Sequence, residues 1–493
     1  MTSVLVIGAG VGGIAVAGLL ARRGYDVTVL EKNPVPGGRC NQIVREGHRF
    51  DVGPSLFLMP QVFGETYTAL GERMEDHLDL RRVDPTYHLH LGDGTRMDLT
   101  ADLNRMQGQL EALEEGAFGG FLRYMVEGHR HFTVSLDRFV GRNFRTLLEE
   151  FSPRNLPLLF QLKALGKHYP NMRRYFRDPR LKAAFTFQNM YLGLSPFDAP
   201  ATYSLLQYTE LADGVWFPMG GMYRIAQSLA AIGEGLGARY LYNAPVRQIE
   251  LQGGRARGVL LEDGQRLEAD VVVANADLPY VYDHLLPDRR PAERLKRLQY
   301  TSSTLMFYWA LNRVYPQLAH HNVFLGGDYR ASFERIFRDH TLPDQPSFYV
   351  HVPNRTDPSA APEGSDDLMV LVPVGHLDEA VGQDWEALRA RARRAVLERL
   401  RRVGVAGIDD HLKFEVHYGP HDWQRLYNLT HGAAFGLGHN FTQVGYLRPH
   451  NRHRRYGNLY FVGACTHPGT GLPPVLLGAR LVEQRLRDEQ PNR

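Results

Sequence analysis

At 493 residues the chain is too long for one small core, so two domains or one elaborated fold are expected. A hydrophobic fraction of 43% and a charged fraction of 23% are those of a globular protein, and a formal charge of +3 is too mild to imply nucleic acid. Two cysteines, Cys40 and Cys465, exclude a disulfide framework and suit a reducing compartment, and no apolar run is long enough to span a bilayer.

Val4 to Ile7 is a short β-branched run that reads as a buried strand. It enters Gly8-Ala9-Gly10-Val11-Gly12-Gly13, which fits G-x-G-x-x-G through Gly8, Gly10 and Gly13. Ile14 to Arg23 is helical in composition and stops at Gly24; Tyr25 to Leu30 is a second strand, closed by Glu31. This order has a mechanical logic. Gly8 allows the tight turn, Gly10 lets a pyrophosphate approach the backbone, and Gly13 lets helix and strand pack closely. The helix start offers free N–H groups to phosphate, and Glu31 can accept from a ribose hydroxyl, which argues against a 2′-phosphate. No basic residue precedes the apolar run and glycines interrupt it, unlike a secretory leader.

Lys32 to Arg39 makes a Pro-Gly turn through Gly37 and Gly38 and delivers Arg39, placed to pair with a phosphate. Phe50 to Ser55 is a second turn, in which Gly53, Pro54 and Ser55 let backbone approach a flat ring. Leu80 to Leu99 reads as hairpin material about Gly92-Asp93-Gly94. Leu103 to about Ala212 is mostly helical, broken by several prolines, and Trp216 to Gly221 ends that pattern. Tyr223 to Leu236 is a helix; Tyr240 to Ile249, the hairpin about Asp263-Gly264 and the strand Asp270 to Ala274 follow, leading to Asn275-Ala276-Asp277. Strands at 303–311, 348–352, 368–374 and 414–418 and a helix at 385–402 form a different region, in which Leu305-Phe307-Trp309-Leu311 alternate. Asn458 to Val462 is a last buried strand. It runs into Gly463 to Gly471 and, through Pro473-Pro474, a helix from Val475 to about Arg485. No zinc spacing occurs. His129, His131, His320, His321, His450 and His453 lie among polar or basic residues and read as solvated rather than metal-ligating.

This ordered set includes Trp216-Phe217-Pro218-x-Gly220-Gly221, Arg448-Pro449-His450-Asn451-Arg452 and Gly463-Ala464-x-Thr466-His467-Pro468-Gly469. It resembles the bacterial and fungal phytoene desaturase family, FAD-containing carotenoid desaturases within the wider amine-oxidase-like flavoproteins. The resemblance runs nearly end to end. It implies an α/β fold with a discontinuous Rossmann-like FAD-binding domain (1–85, 213–295 and 445–493), a mixed-sheet substrate domain (86–135 and 296–444) and a helical, membrane-associating region (136–212). It places Gly8, Gly10, Gly12 and Gly13 under the pyrophosphate, Glu31 on the ribose and Lys32, Gly38 and Arg39 nearby. Gly53, Pro54 and Ser55 lie beside the flavin, Val246 at the adenine, Gly463 and Ala464 at the pyrophosphate and ribityl chain, and Val475 and Leu476 at the pyrimidine end. Asn275 and Asp277 complete the cofactor set. Cys465 and Pro474 depart from the family pattern near the ring.

The implied reaction is FAD-dependent desaturation of phytoene by hydride transfer and proton loss; the alternatives are a later-step desaturase, an isomerase, a terminal oxygenase or a non-redox prenyl-lipid escort. Where relatives often read Phe-Arg-Asp the chain has Phe144-Arg145-Thr146, leaving Arg145 as the candidate near the proton's path. No second dinucleotide fingerprint is present, so quinone or oxygen is the expected acceptor. Moving roughly forty carbons through water would cost on the order of 30 kcal/mol at ~0.8 kcal/mol per CH₂. The polyene is therefore expected to be collected at the inner face of the membrane by a cytoplasmic, peripheral protein. Phe139 to Phe176, which interleaves leucines and phenylalanines with Arg138, Arg142, Arg154, Lys163, Arg173 and Arg174, is the expected docking stretch.

Overall fold

In the computed structural model, which describes residues 1–490, two sheets organise the chain. The first is parallel and five-stranded, in the order 459–461, 271–274, 3–7, 26–30, 239–241. These strands come from the three segments expected to build the cofactor-binding domain; residues 491–493 lie outside the described chain. The inner strands 3–7 and 271–274 are buried on both faces and are near-continuous apolar runs, whereas the edge strand 239–241 is largely exposed. Val4, Val6, Val27 and Val273 pack beneath helices Val11–Arg22, Tyr223–Gly235 and Leu472–Glu489. Leu5, Ile7, Val272 and Ala274 turn the other way, onto the antiparallel sheet 246–252, 255–261, 266–268.

The second sheet has seven strands in the order 412–418, 303–311, 366–374, 348–351, 321–324, 87–90, 96–99. It is mixed: 321–324 runs parallel to 87–90 and every other pair is antiparallel. Leu305, Phe307, Trp309 and Leu311 lie together against Ala392, Val396 and Leu400 of helix Trp385–Arg402. The alternating set therefore occupies one face, as its period requires. The opposite face is buried as well. There Met306, Tyr308 and Ala310 meet Phe50, Val52 and Trp423, which ties this sheet to the cofactor-side turn.

Two sequence expectations are corrected. Residues 80–83 do not share a hairpin with 96–99; they pair with 215–218, and the hairpin is 87–90 with 96–99. His320 and His321 are not solvated but 4% and 0% exposed. Residues 321–324 form an interior strand between 87–90 and 348–351, so a polar-looking pair is carried into the sheet. His131 is likewise buried, its ring bonded to Ser204 and to the Gln161 carbonyl.

Candidate active site

One cavity of about 710 Å³ extends from the glycine turn of the parallel sheet to the mixed sheet and the helical region. At the turn, the Gly8 amide donates to the Leu30 carbonyl at 2.7 Å and Gly8 sits at φ +96°. A Cβ on Gly13 would stand 2.1 Å from the Gly8 carbonyl oxygen, so this glycine exists for packing and does not line the cavity. Gly8, Gly10 and Gly12 do line it, with Gly38, Arg39, Gly53, Pro54 and Ser55. Glu31 also lines it. Its Oε2 accepts from the Ala9 amide at 2.7 Å, while Oε1 accepts from the Asn33 amide and side chain at 2.9 and 2.8 Å.

Two helices begin at this end of the cavity. Val11–Arg22 starts after Gly10 and Leu472–Glu489 after Gly471; neither has a side-chain cap or an acidic residue in its first turn. Each therefore presents unpaired N–H groups and a partial positive charge. Two such starts beside one glycine turn and one ribose-competent carboxylate fit the diphosphate and sugar of FAD. Val475 lines the cavity with Gly463, Ala464, Val246, Asn275 and Asp277. Leu476 does not: it is 0% exposed in the core beneath the helix, because adjacent helical positions point to different faces.

Several residues expected around the cofactor also join the two sheets. Arg39 donates through Nη1 to the Ala434 carbonyl at 2.6 Å. Lys32 donates to the Arg425 carbonyl and, at 2.9 Å, to Asn428 Oδ1; burial lowers its pKa. Asp277 Oδ2 accepts from the Thr430 amide and hydroxyl, and Oδ1 from the Cys465 thiol at 2.8 Å. Cys465 thus has a partner, and burial pushes its thiol far above the ordinary value. Asn275 Nδ2 donates to the Gly8 carbonyl at 3.2 Å.

Arg145 does not reach the cavity. Its guanidinium is 57% exposed and pairs with Asp488 at 3.3 Å, because the chain enters the short helix Leu147–Glu150 with this side chain facing outward. Besides Glu31, Lys32, Arg39 and Asp277, ionisable groups stand at or behind the cavity wall at positions to which the sequence assigned no role in the site. The Tyr191 hydroxyl, from a residue lining the cavity, donates to Tyr87 at 2.5 Å, and Tyr87 donates to Glu210 Oε1 at 2.9 Å. Nearby, His321 Nδ1 donates to the Tyr349 hydroxyl at 2.7 Å and Tyr349 donates to Ser55 Oγ at 2.9 Å. His320 and His351 lie behind it with Nε2 atoms 3.0 Å apart, and burial holds all three imidazoles neutral. These partners are 28 to 294 residues apart in sequence, so no local spacing announces them.

The far part of the cavity is apolar. Leu136, Phe139, Val140, Phe151, Leu159 and Leu162, from the region between 136 and 165, form one wall, and Val323, Leu325 and Phe348 of the mixed sheet form another.

The family model for flavin containing amine oxidoreductases matches residues 11–482. The chain is 47% identical to the zeta-carotene-forming phytoene desaturase of Myxococcus xanthus over 98% of its own length and 93% of that protein. It is 44% identical to the phytoene desaturase of Phycomyces blakesleeanus, covering 98% of this chain and 85% of the other. Among solved structures, a putrescine oxidase variant superposes with a TM-score of 0.64 at 17% identity, covering 100% of this chain and 99% of that one, which is a likeness of fold.

Proposed function

Because the chain belongs to the flavin-containing amine oxidoreductase family and, within it, to the phytoene desaturases, we propose that it removes hydrogen from phytoene in carotenoid biosynthesis. It is an FAD-dependent oxidoreductase. The observation that carries the reading is the division of one cavity. A phosphate- and ribose-competent end is made by the glycine turn, Glu31 and two helix starts, and the rest is an apolar space of the kind a hydrocarbon needs.

FAD, when bound, supplies the hydride acceptor; the chain supplies placement and a dry site. Glu31 and the starts of helices 11–22 and 472–489 would hold the cofactor's polar part. Gly53 to Ser55 would border its ring, and Ser55 is fixed by the hydrogen bond from Tyr349. The apolar walls keep water from a carbon centre that becomes electron-poor as hydride leaves.

The polyene reaches this space from a membrane surface on the same reading. Among the described residues no helix is long and apolar enough to cross a bilayer. Leu148, Phe160 and Leu165 are instead 80%, 75% and 69% exposed, on the same segment whose Phe151, Leu159 and Leu162 face the cavity. Apolar side chains displayed outward and inward by one segment suit a portal at an interface, and the exposed Arg138, Arg154, Arg173 and Arg174 of the same helical region suit anionic lipid. Quinone or oxygen then takes the electrons.

The test is incubation of the FAD-loaded protein with phytoene in liposomes, followed by chromatography of the extracted polyenes. Products carrying additional conjugated double bonds are expected. A yellow protein that leaves phytoene unchanged overturns the substrate, and a colourless protein that binds the polyene without cofactor points to an escort.

A further inference from the structure

Desaturation removes two hydrogens, and only one leaves as hydride. The other departs as a proton from the neighbouring carbon, its C–H electron pair becoming the new π bond. The proton therefore needs an acceptor in an apolar cavity from which water is excluded.

We propose that Tyr191, Tyr87 and Glu210 form a proton-accepting wire in the cavity wall, Tyr191 being the group that touches the polyene and Glu210 the terminal acceptor. The assignment rests on the desaturase reading above. Three features of the geometry carry it. First, the hydrogen bonds share one direction: Tyr191 donates to Tyr87 at 2.5 Å and Tyr87 donates to Glu210 Oε1 at 2.9 Å. A proton arriving on the Tyr191 oxygen is passed on by moving each hydroxyl hydrogen one step, so it ends on the carboxylate and both phenols remain neutral. Burial holds both phenols far above the ordinary value, so neither ionises on its own. Secondly, only Tyr191 of the three lines the cavity; Tyr87 and Glu210 are 0% and 1% exposed. The carboxylate is therefore behind the wall and cannot attack the electron-poor carbon directly. Thirdly, Glu210 has no salt-bridge partner among the described residues and its Oε2 has no hydrogen-bond partner. A buried carboxyl kept for architecture alone would be paired or fully hydrogen-bonded.

The surroundings of Glu210 set its proton affinity. Tyr87 faces it from strand 87–90, Tyr191 and Gln188 from the short helix Phe187–Leu192, and beyond Tyr87 lie Tyr349 and His321 of the mixed sheet. No lysine or arginine is among them. Burial pushes the carboxyl up to about 8, against which the hydrogen bond from Tyr87 and the neighbouring Tyr191 hydroxyl and Gln188 amide pull only partly back. A base with that affinity is matched to work near neutrality. Tyr191 is the catalytic residue in this scheme; Tyr87 and Glu210 act through it.

The experiment compares wild type, Glu210→Gln and Tyr191→Phe, with flavin retention and thermal midpoint recorded for each. Infrared difference titration of the cofactor-free protein in D₂O reads the carboxyl itself. A protonated-carboxyl band that titrates near pH 8 is expected in wild type and in Tyr191→Phe, and is expected to be absent from Glu210→Gln. The rate of desaturation by the FAD-loaded protein should rise with pH through the same range. Each variant should lose roughly 10²-fold, and the pH-dependent limb should disappear in Glu210→Gln. An active wild type with variants of unchanged rate and pH profile, or with no such band, overturns the wire alone. A flavin-loaded wild type inactive on every polyene overturns the desaturase reading and the wire together. Should Glu210→Gln fail to fold, Tyr191→Phe at the cavity surface decides: a rate equal to wild type overturns the proposal.

Discussion

The carboxylate of Glu31 accepts the amide of Ala9 at 2.7 Å, so the acid at the end of the second strand also closes the glycine turn at the end of the first. On the proposed reading, one side chain, 6% exposed, serves both ribose recognition and turn geometry. Glu31→Ala leaves the Ala9 and Asn33 amides without this acceptor. It is expected to lower stability by about 1.5–3 kcal/mol and to weaken FAD binding as well. Thermal melts of the cofactor-free protein and flavin release followed by fluorescence separate the two effects; full flavin retention in the variant would remove Glu31 from the ribose site.

Two glycines of the fingerprint should fail in different ways. Gly10 has φ −67°, open to any residue, and a Cβ there would meet only the movable Asn275 amide at 2.8 Å. Gly10→Ala should therefore fold and lose FAD, its methyl occupying the approach of the diphosphate. Gly13→Ala puts its methyl 2.1 Å from a backbone carbonyl, and the helix must move off the strand. Soluble expression and circular dichroism of the cofactor-free variants check this: Gly13→Ala should be destabilised by several kcal/mol, Gly10→Ala by about 1 kcal/mol or less.

What the sequence made legible follows contact range. The first strand-turn-helix-strand unit is contiguous, so its period, glycines and terminal acid can be read together. Helix Trp385–Arg402 announced its own bounds, since Asp384 caps it and its apolar positions recur at helical spacing. The wall containing Tyr87, Tyr191 and Glu210 was not legible, because hydrogen bonds spanning more than 100 residues leave no local pattern. Arg145 misled for the complementary reason: a motif position fixes a place in the chain, while the direction of its side chain depends on how residues 144–150 pack on the last helix. Leu476 shows the same limit at single-residue scale, with Val475 in the cavity and Leu476 in the core.

The displayed apolar residues of the 147–165 segment give a membrane prediction. Fully inserting one such side chain is worth about 1.5–3 kcal/mol, so Leu148→Ser, Phe160→Ser and Leu165→Ser together should weaken partition into anionic liposomes by more than about a hundredfold. Co-sedimentation measures it. Flavin content should be unchanged, because none of the three lines the cavity. Equal partition of the triple variant would place the contact elsewhere.

Acid should destabilise the fold in a defined window. His168 and His467 are 1% and 6% exposed and burial lowers each to about 4. The folded chain therefore binds fewer protons there than the unfolded chain, whose imidazoles titrate at about 6.5. Their contribution is fully present above pH 6.5 and is lost as pH falls towards 4, at roughly 2.7 kcal/mol per pH unit for the two. Denaturant midpoints between pH 7 and 4.5 should fall steeply. In His168→Gln the slope should be shallower by about 1.4 kcal/mol per unit, even though the variant loses the bonds to Tyr124 and Asn189.

The Arg-Pro-His-Asn-Arg stretch makes a last prediction, because its two arginines have unlike roles. Arg448 is 1% exposed and has no carboxylate partner among the described residues; its guanidinium donates to the carbonyls of Thr466, Gly438, Gln443, Leu437 and Ala464 at 2.6 to 3.2 Å. It binds the loop 437–443 to the turn 464–466, directly after the Gly463 that borders the cavity. Lysine cannot reproduce a planar five-donor fork, and its ammonium would remain buried with carbonyls left over. Arg448→Lys should cost at least about 3 kcal/mol and release flavin, since the turn carrying Gly463 and Ala464 loses its brace. Arg452 instead pairs with Glu489 at 2.6 Å while 29% exposed. Arg452→Lys should cost no more than about 1 kcal/mol and retain flavin. Parallel denaturation and flavin-retention measurements on the two variants test the contrast; equal losses would mean that the stretch acts as one unit rather than through the buried guanidinium.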